Sequence, residues 1–274
     1  MSEITAKNYV GQAVQAFKKA SWVQGREKWV ALLSTAVHFV MPDGGRIFND
    51  NVKGLYGNEL KLPYPRCTLE FYMPGYAYGC KQVIVLLENE KTESIEIISI
   101  ISKGKNDAYD SPDFLPNLIS LNITKREFID AQKEPKFILR GLKLDPEKWD
   151  GTELEGVREA ATRIAMKSGA AALEFLEAMS CKNVEAVTYQ KASPKNAQRI
   201  KSHKAPIYET KILSLVMPQK VAKGEKLFGT HASPRQHLRR GHIRRLDTGN
   251  IWVNACVVGD ASNGIINKQY KVST

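Results

Sequence analysis

The densest group of chemically useful side chains lies in residues 231–245, which read HASPRQHLRRGHIRR. These fifteen residues include three histidines and five arginines, and no acidic residue. The planar fork of arginine suits bidentate contacts with a phosphate or a guanine edge, and it also stacks on bases. The segment therefore predicts nucleic-acid contacts from Arg235, Arg239, Arg240, Arg244 and Arg245.

The histidines of this segment allow a second interpretation. In a regular strand, His237 and Arg239 would face away from His242 and Arg244. A β-bulge at Gly241 would add one residue and bring these four side chains onto one face. There His237 and His242 could serve as base and acid while Arg239 and Arg244 stabilise a phosphate transition state, as in a metal-independent ribonuclease. A structural cluster that pairs with acidic residues elsewhere is the third interpretation.

A second basic segment, residues 191–204, reads KASPKNAQRIKSHK. It has no clear period and contains Ser193-Pro194, which predicts a loop between strands. Each cation of such a loop could neutralise one phosphate and release counterions. The segment could equally be a solvated loop without a specific partner. Its candidate phosphate contacts are Lys191, Lys195, Arg199, Lys201 and Lys204.

The formal charge is concentrated in the last third of the chain. The protein has 274 residues and a net charge of +11, from 40 Lys and Arg against 29 Asp and Glu. Residues 181–274 hold 17 Lys and Arg against 5 Asp and Glu, and residues 1–180 hold 23 against 24. A basic region beside a neutral one favours a polyanionic partner for the basic part.

Several classes of function lack their sequence signals. Cys67, Cys80, Cys181 and Cys256 are scattered without a Cys-x-x-Cys pair, and the spacing of the histidines with Cys256 matches no zinc signature. No glycine-rich phosphate loop is present. The N-terminus lacks the pattern of a signal peptide, and no apolar run reaches about 18 residues. We expect no metal, no cofactor, no membrane contact and a cytoplasmic protein.

Apolar residues at helical spacing predict helices at 5–20, 26–40 and 153–179. The turn signal Asp247-Thr248-Gly249-Asn250 predicts a β-hairpin within 235–258. Tyrosines between glycines at 54–57 and 75–79 could stack on bases or pack at the edge of the core. Short β-branched runs predict strands at 67–73, 82–88, 94–102, 118–123 and 136–144. After the third helix, strands are predicted at 183–190, 206–216, 235–246, 250–258 and 264–272.

The predicted fold class is α+β, with antiparallel sheets and packed helices. The boundary is expected near Asp145-Pro146-Glu147, which divides the chain into a near-neutral helix-plus-sheet unit, residues 1–150, and a basic unit, residues 151–274. The helix at 153–179 precedes the rise in charge, so we expect this C-terminal helix to back a basic, four- or five-stranded antiparallel sheet.

A set of residues in the C-terminal third forms a recognisable pattern: Arg239-Arg240-Gly241-His242, Arg244, Trp252-Val253, Val258-Gly259-Asp260, Lys268, Tyr270 and Val272. With this pattern, roughly the last 105 residues resemble the tail of a group of proteins encoded by tailed bacteriophages. This resemblance implies a phage gene product that acts in the infected bacterial cytoplasm, and it implies no particular activity.

The basic segments predict a protein that binds DNA or RNA, and the resemblance implies that it is phage-encoded and acts either in genome handling or in interference with a host enzyme that holds nucleic acid. The ribonuclease or phosphodiesterase centred on His237 and His242 is the first alternative. A host-protein inhibitor that docks through its basic face is the second. The oligomeric state is not predicted.

Overall fold

A computed structural model describes residues 7–20, 25–47, 61–74, 80–89, 91, 94–102, 114–124, 138–140, 151–216, 235–239, 242–253 and 256–265. The helices are α1 (Tyr9–Lys19), α2 (Arg26–Thr35), a 3₁₀ turn (Asp43–Gly45), α3 (Gly151–Met179) and α4 (Asn196–Lys201). The strands are β1 (Val37–Val40), β2 (Arg66–Met73), β3 (Cys80–Asn89), β4 (Ser94–Ser102), β5 (Phe114–Thr124), β6 (Ile138–Arg140), β7 (Val184–Gln190), β8 (Thr210–Leu215), β9 (Arg235–Arg239), β10 (His242–Leu246), β11 (Gly249–Val253), β12 (Cys256–Val258) and β13 (Asp260–Ile265).

Eight of the described strands form one mixed sheet in the order β6-β5-β4-β3-β2-β1-β8-β7. Strands β2 to β6 form an antiparallel meander. β1 runs parallel to both of its neighbours, with Phe39 opposite Leu69 of β2 and opposite Lys211 of β8. The expected mixture of helices and strands is confirmed, but the main sheet is mixed and not antiparallel, because β1 joins it in the parallel direction.

The central strands are covered on both faces. Ile84 and Leu86 of β3 point to a core with α3, where Phe175 also packs. Val83 and Val85 point to the opposite core, which α1 and α2 complete. This explains the continuously apolar run at 83–87, since a strand that is buried on both faces does not alternate with polar residues.

Helix α1 begins at a buried carboxylate. Glu70 of β2 is buried, and its Oε2 accepts a hydrogen bond of 3.0 Å from the backbone N–H of Val10. Burial raises the pKa of Glu70, whereas the N–H groups of Val10, Tyr9 and Asn8 oppose that rise. A carboxylate satisfies the unpaired donors at a helix N-terminus, so β2 fixes where α1 starts.

Two predicted elements differ from the structure for packing reasons. The helix predicted at 26–40 ends at Thr35, because the following run, Val37–Val40, becomes the parallel strand β1. The helix predicted at 153–179 forms as α3, but it does not back a basic antiparallel sheet. Its buried residues Ala171 and Phe175 pack against β2, β3 and β4 of the mixed sheet.

The chain divides into two units by its contacts. The first unit contains residues 1–179 and 186–213, and the second contains residues 180–185 and 214–274. This division differs from the predicted boundary near residue 150, which assigns α3 to the C-terminal unit. No helix among the described residues is both long and apolar enough to cross a membrane.

The second unit is built on short strands. β10 and β11 pair antiparallel around the predicted turn, with Leu246 opposite Gly249, so the hairpin is confirmed. The side chain of Asn183 continues this ladder: its Oδ1 accepts from the N–H of Trp252 and its Nδ2 donates to the carbonyl of Trp252, each at 2.8 Å. β9 lies between β12 and β13 in a separate three-stranded sheet.

Candidate nucleic-acid interface

The basic segment 191–204 lies between strands β7 and β8, as predicted, and belongs to the first unit. The short helix α4 occupies its centre, and the side chain of Asn196 bonds to Ile207, three residues before β8. Asn196 Nδ2 donates to the carbonyl of Ile207 at 2.8 Å, and Asn196 Oδ1 accepts from the N–H of Ile207 at 2.9 Å. The N–H of Ser193 also donates to the carbonyl of Ile207, at 3.0 Å. These bonds satisfy backbone groups that a loop would leave to water.

Helix α1 supports the far end of the same segment. The side chain of Gln15 donates to the carbonyl of His203, which adopts a left-handed conformation with φ of 52°. Gly11 lies against the carbonyl of Pro206 so closely that a Cβ at this position would overlap it. The segment is therefore held between α1 and the start of β8.

The charges of this segment divide into exposed and structural groups. Arg199 is half-buried, and its Nε donates to the carbonyl of Ala205 at 2.9 Å. Its guanidinium thus closes the turn after α4. The nearest acidic residue along the chain, Glu209, is exposed and lies 3.1 Å from Lys211, whose hydrogen bond holds the pKa of Glu209 below its usual value. Four lysines of the segment are exposed: Lys191, Lys195, Lys201 and Lys204.

The predicted arginine cluster belongs to the second unit, where part of it is described. His242, Arg244 and Arg245 are exposed on β10. Backbone alternation puts His242 and Arg244 on one face of the hairpin, and Arg245 on the face of the buried Asn250. Of the other predicted residues, Arg240 lies outside the described residues, and the structure describes only the backbone of Arg235, His237 and Arg239.

The β-bulge inferred at Gly241 lies outside the described residues. On either side of that position, Arg239 pairs with Cys256 and His242 pairs with Val253. The strands β9 and β10, which carry His237 and His242, belong to separate sheets. The acid–base arrangement of a ribonuclease therefore stays a prediction.

One histidine that the sequence analysis did not select lies in the interior. His38 of β1 is 3% exposed, its Nδ1 lies 2.7 Å from Thr68 Oγ1, and its ring is 5.0 Å from that of Tyr208. Burial lowers its pKa to about 4, so the ring is neutral at neutral pH. A ring this enclosed serves packing and hydrogen bonding within the first unit.

Two asparagines that hold the backbone of the candidate surfaces carry no sequence signal for that role. The side chain of Asn196 bonds to the backbone of Ile207, and the side chain of Asn183 bonds to the backbone of Trp252. Tyr189 of β7 is exposed, whereas the tyrosines considered for stacking, in 54–57 and 75–79, lie outside the described residues. An exposed aromatic side chain in a strand is indistinguishable by sequence from a buried one.

Within the described residues, no three side chains of His, Cys, Asp or Glu form a group that could hold a metal ion. Burial raises the pKa of the Cys67 thiol to about 12, which makes it a poor nucleophile. Comparisons of the chain with protein-family models, with curated proteins and with solved structures found no match.

Proposed function

We propose that this protein binds nucleic acid through two basic surfaces, one in each unit. In the first unit the surface is the lysine segment, which we define as residues 191–204. In the second unit it is the outer face of the β10–β11 hairpin, with Arg244. The proposal extends the sequence-based expectation of a phage protein that handles nucleic acid in its host's cytoplasm.

The observation that carries the proposal is the ordered state of the lysine segment. Its four lysines are exposed on a short helix and its flanks, without any acidic residue within the segment. Hydrogen bonds from Asn196 and Gln15 hold the backbone in place before any ligand arrives. A surface that is already ordered loses less conformational entropy on binding than a loop that must first be ordered.

The test is a salt series with labelled oligonucleotides of single-stranded and duplex DNA and RNA. Each lysine–phosphate contact contributes about −0.7 to the slope of log K against log salt for a single strand. Four contacts predict a slope of about −3, which lowers the affinity roughly 50-fold between 50 mM and 200 mM salt. Fluorescence anisotropy measures both the affinity and the slope.

A triple variant, K195Q/K201Q/K204Q, should make the slope shallower by about 2. The matched control is K28Q/K61Q/K91Q, which removes the same charge from exposed lysines elsewhere in the first unit. R244Q tests the hairpin separately, with an expected change of slope of about 0.7 to 0.9.

Equal slopes for the two triple variants would contradict a role for the lysine segment. No binding of any oligonucleotide at 50 mM salt would overturn the proposal. That result would favour the alternative in which the basic face docks an acidic host protein.

A further inference from the structure

The edge strand β7 carries exposed apolar side chains directly before the lysine segment. Val187 is 37% exposed and Tyr189 is 41% exposed. β7 is the last strand of the eight-stranded sheet on this side, within the described residues. A large apolar side chain on an uncovered sheet face is a candidate contact for a ligand.

The contacts of neighbouring residues show which face this is. Thr188 Oγ1 lies 3.3 Å from Glu209 Oε1 and 3.4 Å from Lys211 Nζ. Ala186 packs against the core that α3 covers. Side chains alternate along a strand, so Val187 and Tyr189 point to the opposite face, the one on which α1 and α2 lie. The core beneath those helices extends to Tyr208, and the exposure of Val187 and Tyr189 shows that the face is open at the sheet's edge.

The lysine segment adjoins this open face. Lys191 follows Tyr189 by two residues, at the end of β7. The bonds from Ser193 and Asn196 to Ile207 fold the segment back onto the beginning of β8, beside the same end of β7. Helix α4 adds Ile200, which is 40% exposed. An aromatic ring, two aliphatic side chains and four lysines are thus carried by β7 and by the connection from β7 to β8.

We propose that this edge binds single-stranded nucleic acid, with an unpaired base stacked on Tyr189 and the phosphates held by the lysine segment. The inference rests on the proposed function and names its substrate class. Cations along a backbone path combined with an aromatic platform are the means by which proteins bind single strands. A duplex offers phosphates to the lysines, but its bases are already stacked on one another and cannot stack on the ring of Tyr189.

The test compares wild type with Y189A and Y189F on single-stranded 12-mers of thymidine and of uridine, and on a duplex of equal length. Y189A should weaken binding of the single strands about tenfold, because stacking on one aromatic side chain is worth that much. Y189F keeps the ring and should stay within about twofold of wild type. Neither variant should change binding of the duplex, and neither should change the salt slope, because no charge is removed.

A spectroscopic measurement separates stacking from an indirect effect on the fold. In Y189W the new indole should lose fluorescence when a single-stranded 12-mer binds, relative to the signal of wild type, and should keep it with the duplex. Urea midpoints of all variants should match that of wild type, since residue 189 is exposed on an edge strand.

The outcomes distinguish this inference from the proposed function. If single strands and duplex both bind with steep salt slopes and Y189A equals wild type, the stacking inference is wrong and the function stands. If no nucleic acid binds at 50 mM salt, both are wrong.

Discussion

Two adjacent glycines after β1 should respond very differently to the same substitution. Gly44 and Gly45 both adopt left-handed backbone conformations, with φ of 80° and 69°. A Cβ on Gly44 would meet nothing within 4 Å. A Cβ on Gly45 would lie 2.7 Å from Cζ of Phe71 and 3.0 Å from Cβ of Ala171. Substituting alanine at each position therefore separates the cost of backbone strain, which both positions share, from the cost of close packing, which applies only at Gly45.

The expected losses in the free energy of unfolding follow from backbone strain and from close packing. G44A places a side chain in the left-handed region, which costs about 1 kcal/mol of the free energy of unfolding. G45A carries the same cost and also forces Phe71 or α3 to move, which adds about 1–3 kcal/mol in a packed core. Phe71 is fully buried and Ala171 belongs to α3, so neither can turn aside without a shift of its element.

Urea unfolding followed by tryptophan fluorescence measures both losses, and the comparison requires equal m values. A double variant, G45A/F71L, removes the ring atoms nearest to the new Cβ. It should recover about 1 kcal/mol relative to the sum of the single losses, as coupled neighbours do. Equal losses for G44A and G45A, together with additive behaviour of the double variant, would refute the close packing of this turn against α3.

Three further changes test the interior of each unit. Burial lowers the pKa of His38 from 6.5 to about 4, so between these pH values the unfolded chain takes up a proton that the folded chain does not. The free energy of unfolding should therefore be largest above pH 6.5 and fall by up to about 3 kcal/mol as the pH drops to 4. Urea unfolding at half-unit steps of pH checks this, and a pH dependence in H38Q equal to that of wild type would contradict it. F175A should cost about 3–5 kcal/mol by leaving a cavity beneath α3, and F175L clearly less; a loss under 2 kcal/mol in F175A would argue against that packing. N183A should cost the second unit about 1–3 kcal/mol and speed hydrogen exchange of the Trp252 N–H, whereas unchanged exchange would show that this bond is not protective.

Many elements could be predicted because their sequence patterns depend only on residues that are close together along the chain. β4 spans Ser94–Ser102, as predicted, and α1 lies within the helix predicted at 5–20, where it buries Val10, Ala13, Val14 and Phe17. The apolar residues of α1 recur at the helical period, and β4 is a short run rich in β-branched residues. Their neighbours along the chain were enough to identify them.

The elements that differ from prediction depend on distant partners. Val37–Val40 continues the apolar pattern of α2, and its conversion to a strand requires β2 on one side and β8 on the other. The charge step near residue 181 suggested that α3 belongs with the basic residues. Charge distribution influences association, however, and the packing of α3 is decided by its apolar face.

The candidate site was predicted in composition but not in geometry. The lysines of 191–204 are exposed as a charged segment should be. The order of that segment comes from hydrogen bonds of Asn196 and Gln15 to backbone groups at 203 and 207, which have no sequence signature. The bulge at Gly241 was inferred from polarity alone, and it lies outside the described residues, which place β9 and β10 in separate sheets.

The position of β1 affects how the chain can fold while the ribosome is still making it. His38 pairs with Thr210, so β1 waits for a partner made about 170 residues later. At about 5–20 residues per second, that delay lasts roughly 10–30 s. Throughout it the nascent chain presents an unpaired edge, which is a template for pairing with another chain. Translation that stops before Thr210 would therefore leave a fragment prone to aggregate. Shielding of β1 until synthesis is complete would prevent this aggregation.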